Sequence, residues 1–203
     1  MKKMTAALAL TGVCALVHAD GANWRFYSAL GVASGGETIT SGTITTVGTT
    51  SEVHFKVKPA DGLQFRMGVD YRIFERLTLQ GAIGYGASDP MGMNGSFTFT
   101  TIPVEFLGFL NITDALRIGG GVRKTSAEMK ASGVAATFSG VGTYTSTPGT
   151  VFEVQYLFPI SSGQPTYQRS QFGISLRYVT ESFSHNSVTY DGNHYEVGMS
   201  LYY

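Results

Sequence analysis

The chain has 203 residues and equal numbers of basic and acidic side chains, 14 of each. That length fits one domain, and the balanced charge leaves no footprint for nucleic acid. Charged residues are sparse, glycine is abundant at 26 residues, and no stretch of about 18 apolar residues exists, so neither a membrane-spanning helix nor a disordered acidic or basic tail fits.

Residues 1–19 read as a signal peptide. Lys2 and Lys3 form a basic start, Ala6 to Val17 is apolar but too short to span a bilayer, and Val17-His18-Ala19 offers a cleavage site. Val13 stands before Cys14 where a lipoprotein signal wants a small residue, so Cys14 leaves with the peptide. The exported domain, residues 20–203, then lacks cysteine. It has no disulfide framework and no thiolate metal site.

From Asn23 onward the pattern is that of strands, whose side chains alternate with period 2. In the first strand Trp24, Phe26, Leu30 and Val32 oppose Arg25, Tyr27, Ala29 and Gly31. A Thr-, Ser- and Gly-rich stretch, Ser34 to Asp61, reads as a long loop whose Thr-Ile-Thr pieces extend a hairpin. The second strand, Gly62 to Arg72, sets Leu63, Phe65, Met67, Val69 and Tyr71 against Gln64, Arg66, Gly68, Asp70 and Arg72. After a tight turn, the third sets Leu77, Leu79, Ile83 and Tyr85 against Thr78, Gln80, Ala82 and Gly84. Ser88 to Ser96 reads as a loop, with Asp-Pro and Asn-Gly turn signals.

The fourth strand, Thr100 to Leu110, opposes Ile102, Val104 and Phe106 to Glu105. The fifth, from Leu116, opposes Ile118 and Val122 to Arg117 and Arg123. Lys124 to Gly149 reads as a second long loop. The sixth strand sets Phe152, Val154, Tyr156 and Phe158 against Glu153 and Gln155; the seventh sets Phe172, Ile174, Leu176 and Tyr178 against Ser175 and Arg177. Thr180 to Asn193 reads as a loop before the last strand, His194 to Tyr203, where Tyr195, Val197, Met199, Leu201 and Tyr203 oppose His194, Glu196, Gly198, Ser200 and Tyr202.

Two regularities exceed simple alternation. Connections alternate between long and short, as in outer-membrane barrels with external loops and periplasmic turns. Every charge inside a predicted strand opposes the apolar face. Alternation reports two faces and not which one is inside, so a soluble barrel of reversed sense shares the pattern. Loop lengths, small residues on the polar face, and aromatics near strand ends (Trp24, Tyr71, Tyr85, Phe158, Phe172, Tyr203) favour a membrane barrel with aromatic girdles.

Trp24 to Val32, Val69 to Tyr85, Ile102 to Leu110, Arg117 to Arg123 and the closing strand together resemble the OmpA-like and opacity-protein group of small outer-membrane barrels. The resemblance implies an all-β, eight-stranded antiparallel up-and-down transmembrane barrel in a Gram-negative outer membrane. It implies contact with membrane lipid and lipopolysaccharide, and recognition of the closing strand by the barrel-insertion machinery. It also implies a monomeric cell-surface protein. No periplasmic peptidoglycan-binding domain follows strand eight, so that anchoring role is not carried over.

Catalytic patterns are few. No metal-ligand spacing and no phosphate loop are present, and no cofactor is expected. His185-Asn186-Ser187 with Glu196 is similar to the His-x-Ser and later Glu of lipid A 3-O-deacylases, which implies an esterase alternative with Ser187 as nucleophile, His185 as base and Glu196 orienting it. Glu196 has lumen parity, which argues against that triad. Lateral passage of a small apolar molecule is a further alternative that no residue favours specifically. The expected role is structural or surface-interacting, with the long loops meeting an extracellular ligand. For the interior, Arg66, Glu105, Arg123, Glu153, Arg177 and Glu196 fall at similar depth, and Asp70 and Arg117 share their face. Buried charges must be paired, so the sequence predicts an ion-pair network that fills the lumen and leaves no open pore.

Overall fold

The structure, a computed structural model, describes residues 23–45, 52–88, 91–92, 95–133, 140–160 and 169–203. The predicted signal peptide and the first residues of the predicted exported domain lie outside the described residues, as does part of the connection predicted after the sixth strand.

Among the described residues, fourteen strands follow in chain order: β1 (Trp24–Gly35), β2 (Thr40–Thr45), β3 (Glu52–Val57), β4 (Gly62–Phe74), β5 (Leu77–Ser88), β6 (Met91–Gly92), β7 (Gly95–Asn111), β8 (Leu116–Gly133), β9 (Gly142–Ser146), β10 (Gly149–Pro159), β11 (Gln171–Thr180), β12 (Ser182–His185), β13 (Val188–Asp191) and β14 (His194–Tyr202). Eight of them (β1, β4, β5, β7, β8, β10, β11 and β14) pair in that order. The ring closes where β14 meets β1, with Tyr27 opposite Tyr202. Every pairing is antiparallel, so the wall is an up-and-down barrel with no free edge in this ring.

The apolar face points outward. Leu30, Val32, Ile83, Val104, Val122, Leu176 and Val197 are exposed, whereas Arg25, Arg66, Asp70, Glu105, Arg117, Arg123, Glu153, Arg177 and Glu196 are buried. A soluble barrel would do the opposite. Closure removes the free strand edge that lipid could not satisfy, so this arrangement suits a bilayer.

At the long-loop end the polarity inverts. On β8 the outward side chains change from Ile118 and Val122 to Lys124, Ser126, Glu128 and Lys130, and the inward ones change from Arg117 and Arg123 to Ala127 and Met129. On β7 the outward face is Ser96, Thr98 and Thr100 beyond Ile102, and Phe97 and Phe99 turn inward. The wall thus carries lipid-facing apolar residues along one stretch and a water-facing polar surface above it. Inside the upper part, Val57, Phe97, Phe99, Ala127, Met129, Tyr144 and Phe183 form an apolar cluster. Phe99 meets Tyr144 and Phe183 edge to face, at centroid separations of 5.3 and 5.9 Å, a favoured aromatic geometry.

Four segments predicted as loops are partly strand. Residues 124–133 continue β8, and β9 pairs with β8 from Ser126 to Met129. Between Thr180 and Asn193, β12 and β13 form a hairpin whose β12 also pairs with β9. The hairpin turns on Asn186 and Ser187, both left-handed with φ of 49° and 65°, which matches a two-residue type I′ turn. Within 88–96, β6 pairs with the start of β7. These pieces carry the wall past the membrane: β9 leads into β10, β11 into β12, and β13 into β14, each after a break of one or two residues. Thr147 N donates to Ser182 O (2.9 Å) and Gly192 N to Glu181 O (2.9 Å), holding the breaks together. In the first long loop, β2 and β3 pair as a separate two-stranded sheet.

Candidate functional site: the barrel interior and its two ends

Because strands alternate, each inward arginine and carboxylate is delivered by the same pleat that sends its neighbours to lipid. Cross-strand register then decides which charges meet. Asp70 on β4 lies opposite Arg25 on β1, Arg123 on β8 opposite Glu105 on β7, and Arg177 on β11 opposite both Glu153 on β10 and Glu196 on β14.

The inward charges form two layers. Nearer the short turns, Asp70 accepts from Arg25 (3.2 Å), Arg117 (2.7 Å) and Gln80 (2.7 Å). Arg117 also donates to Gln155 (2.5 Å) and to the Tyr202 hydroxyl (2.5 Å), and Arg25 donates to Gln171. The Arg117 guanidinium lies over the Phe109 ring, 4.1 Å from its centroid. Gly119 makes room for that ring, since a Cβ there would stand 2.5 Å from Phe109 carbons.

The second layer is centred on Glu196. Its carboxylate is met by Arg66, by Arg177 at 2.7 Å, by Arg123 at 3.2 Å and by His194 Nε2 at 3.1 Å. Arg177 and Arg123 also reach Glu105, at 2.6 and 3.1 Å. Arg177 Nε stands 3.1 Å from Glu153 but makes no well-formed hydrogen bond there. Glu181 approaches Arg123 at 3.2 Å and accepts from Thr125 at 2.6 Å. The two layers together hold five arginines (25, 66, 117, 123, 177) and five carboxylates (70, 105, 153, 181, 196). Formal charge therefore balances over the interior as a whole.

All eight residues expected in the lumen are buried on the inward face, and each has an ion-pair contact with another charged inward residue. Sequence reasoning missed Glu181 and His194 as members, and the bridging amides and hydroxyls of Gln80, Gln155, Gln171, Thr125 and Tyr202. Gln80, Gln155 and Tyr202 share the parity of the charges, which was the available signal. Glu181 sits at the break between β11 and β12, where alternation gives none.

Of the aromatics expected at strand ends, Trp24, Tyr71, Phe158 and Tyr203 are exposed near the short turns and Tyr85 is exposed nearer the long loops. Trp24 lies opposite Tyr71, and Phe158 opposite Phe172. Tyr178 and Tyr195, 4.8 Å apart, are further outward rings on the long-loop side.

The esterase alternative does not assemble. Glu196 is held in the lumen by arginines and His194. The His185 ring contacts Thr143 O (2.9 Å) and the Asn186 side chain (2.9 Å), and stacks on Tyr144. Ser187 is exposed at the tip of the β12–β13 turn. The inward parity of Glu196 separates it from a turn at the far end of the wall, so His185, Ser187 and Glu196 form no triad. Among the described residues, no group of His, Cys, Asp and Glu has the arrangement of a metal site.

No protein-family model matches the sequence, and no curated protein matches it. Solved structures do. Ail, the attachment invasion locus protein of Yersinia pestis, determined in complex with the heparin analogue sucrose octasulfate, superposes with a TM-score of 0.50 at 10% identity. The match covers 89% of this chain and 97% of Ail. The outer membrane protein OprG from Pseudomonas aeruginosa gives a TM-score of 0.43 at 9% identity, over 90% of this chain and 96% of OprG. Closure of the antiparallel ring and the Ail likeness agree on the fold: the chain is a closed, eight-stranded antiparallel β-barrel, and its apolar face is turned outward.

Proposed function

We propose that this barrel is a non-catalytic surface protein, closed to ion flow, that presents its long-loop end for contact with an extracellular ligand. The observation that carries the reading is the filling of the interior. Two charge layers occupy the membrane part, and the apolar cluster of Phe97, Phe99, Met129, Tyr144 and Phe183 caps them. Such an interior offers rigidity and no water column. The chain instead spends its length above the bilayer, where β7, β8, β9, β12 and β13 build a polar-surfaced extension. A rigid platform beneath projecting hairpins is a common way to carry binding residues.

The test uses cells of an outer-membrane-protein-deficient host displaying the full chain. Their retention on heparin-coated wells is compared with albumin-coated wells and with vector-only cells. Heparin serves as the probe because Ail was determined with an analogue of it. The reading expects retention above vector, lost when residues 40–57 are replaced by a short Gly-Ser turn. Equal retention of displaying and vector-only cells would contradict the surface-contact role.

A further inference from the structure

His194 opens β14 with its ring buried in the interior, beside Gly35 on β1 and Val179 on β11. Both ring nitrogens face oxygen. Nδ1 lies 2.7 Å from the Gly192 carbonyl, and Nε2 lies 3.1 Å from Glu196 Oε1. A carbonyl can only accept. Glu196 accepts from Arg66, Arg123 and Arg177 as well, so it is an ionised carboxylate and has no proton to give. A neutral imidazole carries one N–H and would turn a lone pair on one of these two oxygens. An imidazolium donates to both. Turning the ring over would set carbons against the two oxygens and give up both hydrogen bonds.

The surroundings suit that further cation. Among the described residues, the layer around Glu196 has three arginines (66, 123, 177) facing four carboxylates (105, 153, 181, 196). Arg123 on β8 shares Glu196 Oε1 with the ring, while Arg66 on β4 and Arg177 on β11 take the other oxygen. Glu105 on β7 and Glu181 at the β11–β12 break both contact Arg123, and Glu153 on β10 contacts Arg177. Gly35 and Val179, the residues paired with His194, carry no charge.

The two oxygens belong to different parts of the molecule. Gly192 lies in the break between β13 and β14, and its N donates to Glu181 O at 2.9 Å. A Cβ at Gly192 would stand 2.6 Å from the Phe183 ring, so the break is packed against the apolar cap. The next residue, Asn193, accepts from Glu181 N at 3.0 Å through Oδ1. Glu196 is the hub of the charge layer in the membrane part. We propose that His194 is a doubly protonated latch: Nδ1–H holds the hinge beneath the cap, Nε2–H holds the charge layer, and the imidazolium ties one to the other. The latch does not depend on what the long loops contact.

The test is ¹⁵N NMR of the full exported chain, labelled at histidine and folded in a neutral maltoside detergent at neutral pH. The His194 ring signals, assigned through its own backbone, should show a proton on each nitrogen. One unprotonated ring nitrogen would overturn the proposal. Proteolysis of cells displaying the chain gives a second readout. His194→Phe keeps a ring and removes both donors. It should leave the gel mobility of the folded barrel intact and speed cleavage of the β12–β13 hairpin by ~10-fold or more, the factor for one lost hydrogen bond to a charged group. Tyr195→Phe, the exposed neighbour on β14, should be cut at the wild-type rate. A folded His194→Phe barrel cut no faster than wild type would also overturn the latch. Where the variant does not fold, the wild-type spectrum decides.

Discussion

Arg177 on β11 and Glu196 on β14 stand directly opposite each other in the sheet register, and their side chains meet 2.7 Å apart in the barrel interior. The same glutamate also receives Arg66, Arg123 and His194. Glu153, by contrast, has Arg177 as its one ion-pair contact among the described residues, without a well-formed hydrogen bond. Removing one partner of a buried charge pair costs ~3–5 kcal/mol, because the remaining charge loses its compensation. Glu196→Gln should show that full loss. Glu153→Gln should cost less, and Glu128→Gln on the exposed face of β8 almost nothing. Urea unfolding of the three variants in liposomes checks the ranking. Equal losses for Glu153→Gln and Glu196→Gln would mean the interior is not organised around Glu196.

The change of outward polarity on β7 marks the edge of the membrane. Phe106 is 55% exposed on the lipid face, opposite Val122, and Thr100 lies nearer the long loops, opposite Glu128. Phe106→Arg, deeper than Lys124, should hinder insertion by ~2–4 kcal/mol. Thr100→Arg should be tolerated. Heat-modifiable gel mobility after folding into liposomes reads both. Similar folding of the two variants would move the membrane boundary from where Lys124 and Thr100 put it.

The apolar cap should unfold without the barrel. Phe183 is fully buried between β12 and the cluster around Phe99. Phe183→Ala should cost ~3–5 kcal/mol of local packing. Proteolysis of intact cells should then cut the β12–β13 hairpin while gel mobility still reports a folded barrel. Loss of the folded barrel itself would show that cap and barrel are one cooperative unit.

Tyr144, in the cap above the membrane, gives that region a pH dependence. Burial, aided by nearby Tyr190, pushes its phenol from the ordinary 10.0 up to about 12, and its hydroxyl donates to Gly140 O at 2.7 Å. A group whose folded value is raised contributes stability that is complete below its unfolded value and is lost as pH rises toward the folded one. The cap should therefore hold to pH 10 and loosen between 10 and 12. Ultraviolet titration of wild type against Tyr144→Phe would show one late-ionising phenol missing in the variant. An unchanged titration would remove this residue as the cause.

Closure depends on β14. Tyr202 stacks on Tyr27 at 5.3 Å and its hydroxyl joins Arg117 and Gln155. Deleting Leu201 to Tyr203 removes part of the β1–β14 seam and leaves open edges that lipid cannot satisfy. Cells should degrade the shortened chain or retain it in the periplasm. Wild-type levels in the outer membrane would show that the seam tolerates the loss.

The membrane part of this fold was legible because one face of each strand is apolar and the other holds all its charge. That is the simplest pattern a barrel wall can write. The part above the membrane was not, for a physical reason. At Lys124 the polarity of β8 reverses, so a strand that continues to Gly133 reads as the end of one. The β12–β13 turn was hidden too, because Asn186 and Ser187 take left-handed angles without a glycine to announce them. Within the interior, parity puts Arg66, Glu105, Arg123, Glu153, Arg177 and Glu196 on one face, and all six are buried. It was silent on Glu181, which sits at a break in the wall, and on which carboxylate would gather the arginines. Register settles that last point, and register depends on turn lengths that composition does not reveal.

Planar-bilayer recording of the wild-type chain is the most direct test of a filled interior. With Glu196 bridging Arg66, Arg123 and Arg177, and Phe99 and Phe183 closing the end above, the membrane should show no steady conductance above its baseline. A stable nanosiemens-scale channel would mean that water runs through the barrel and that the two charge layers do not close it.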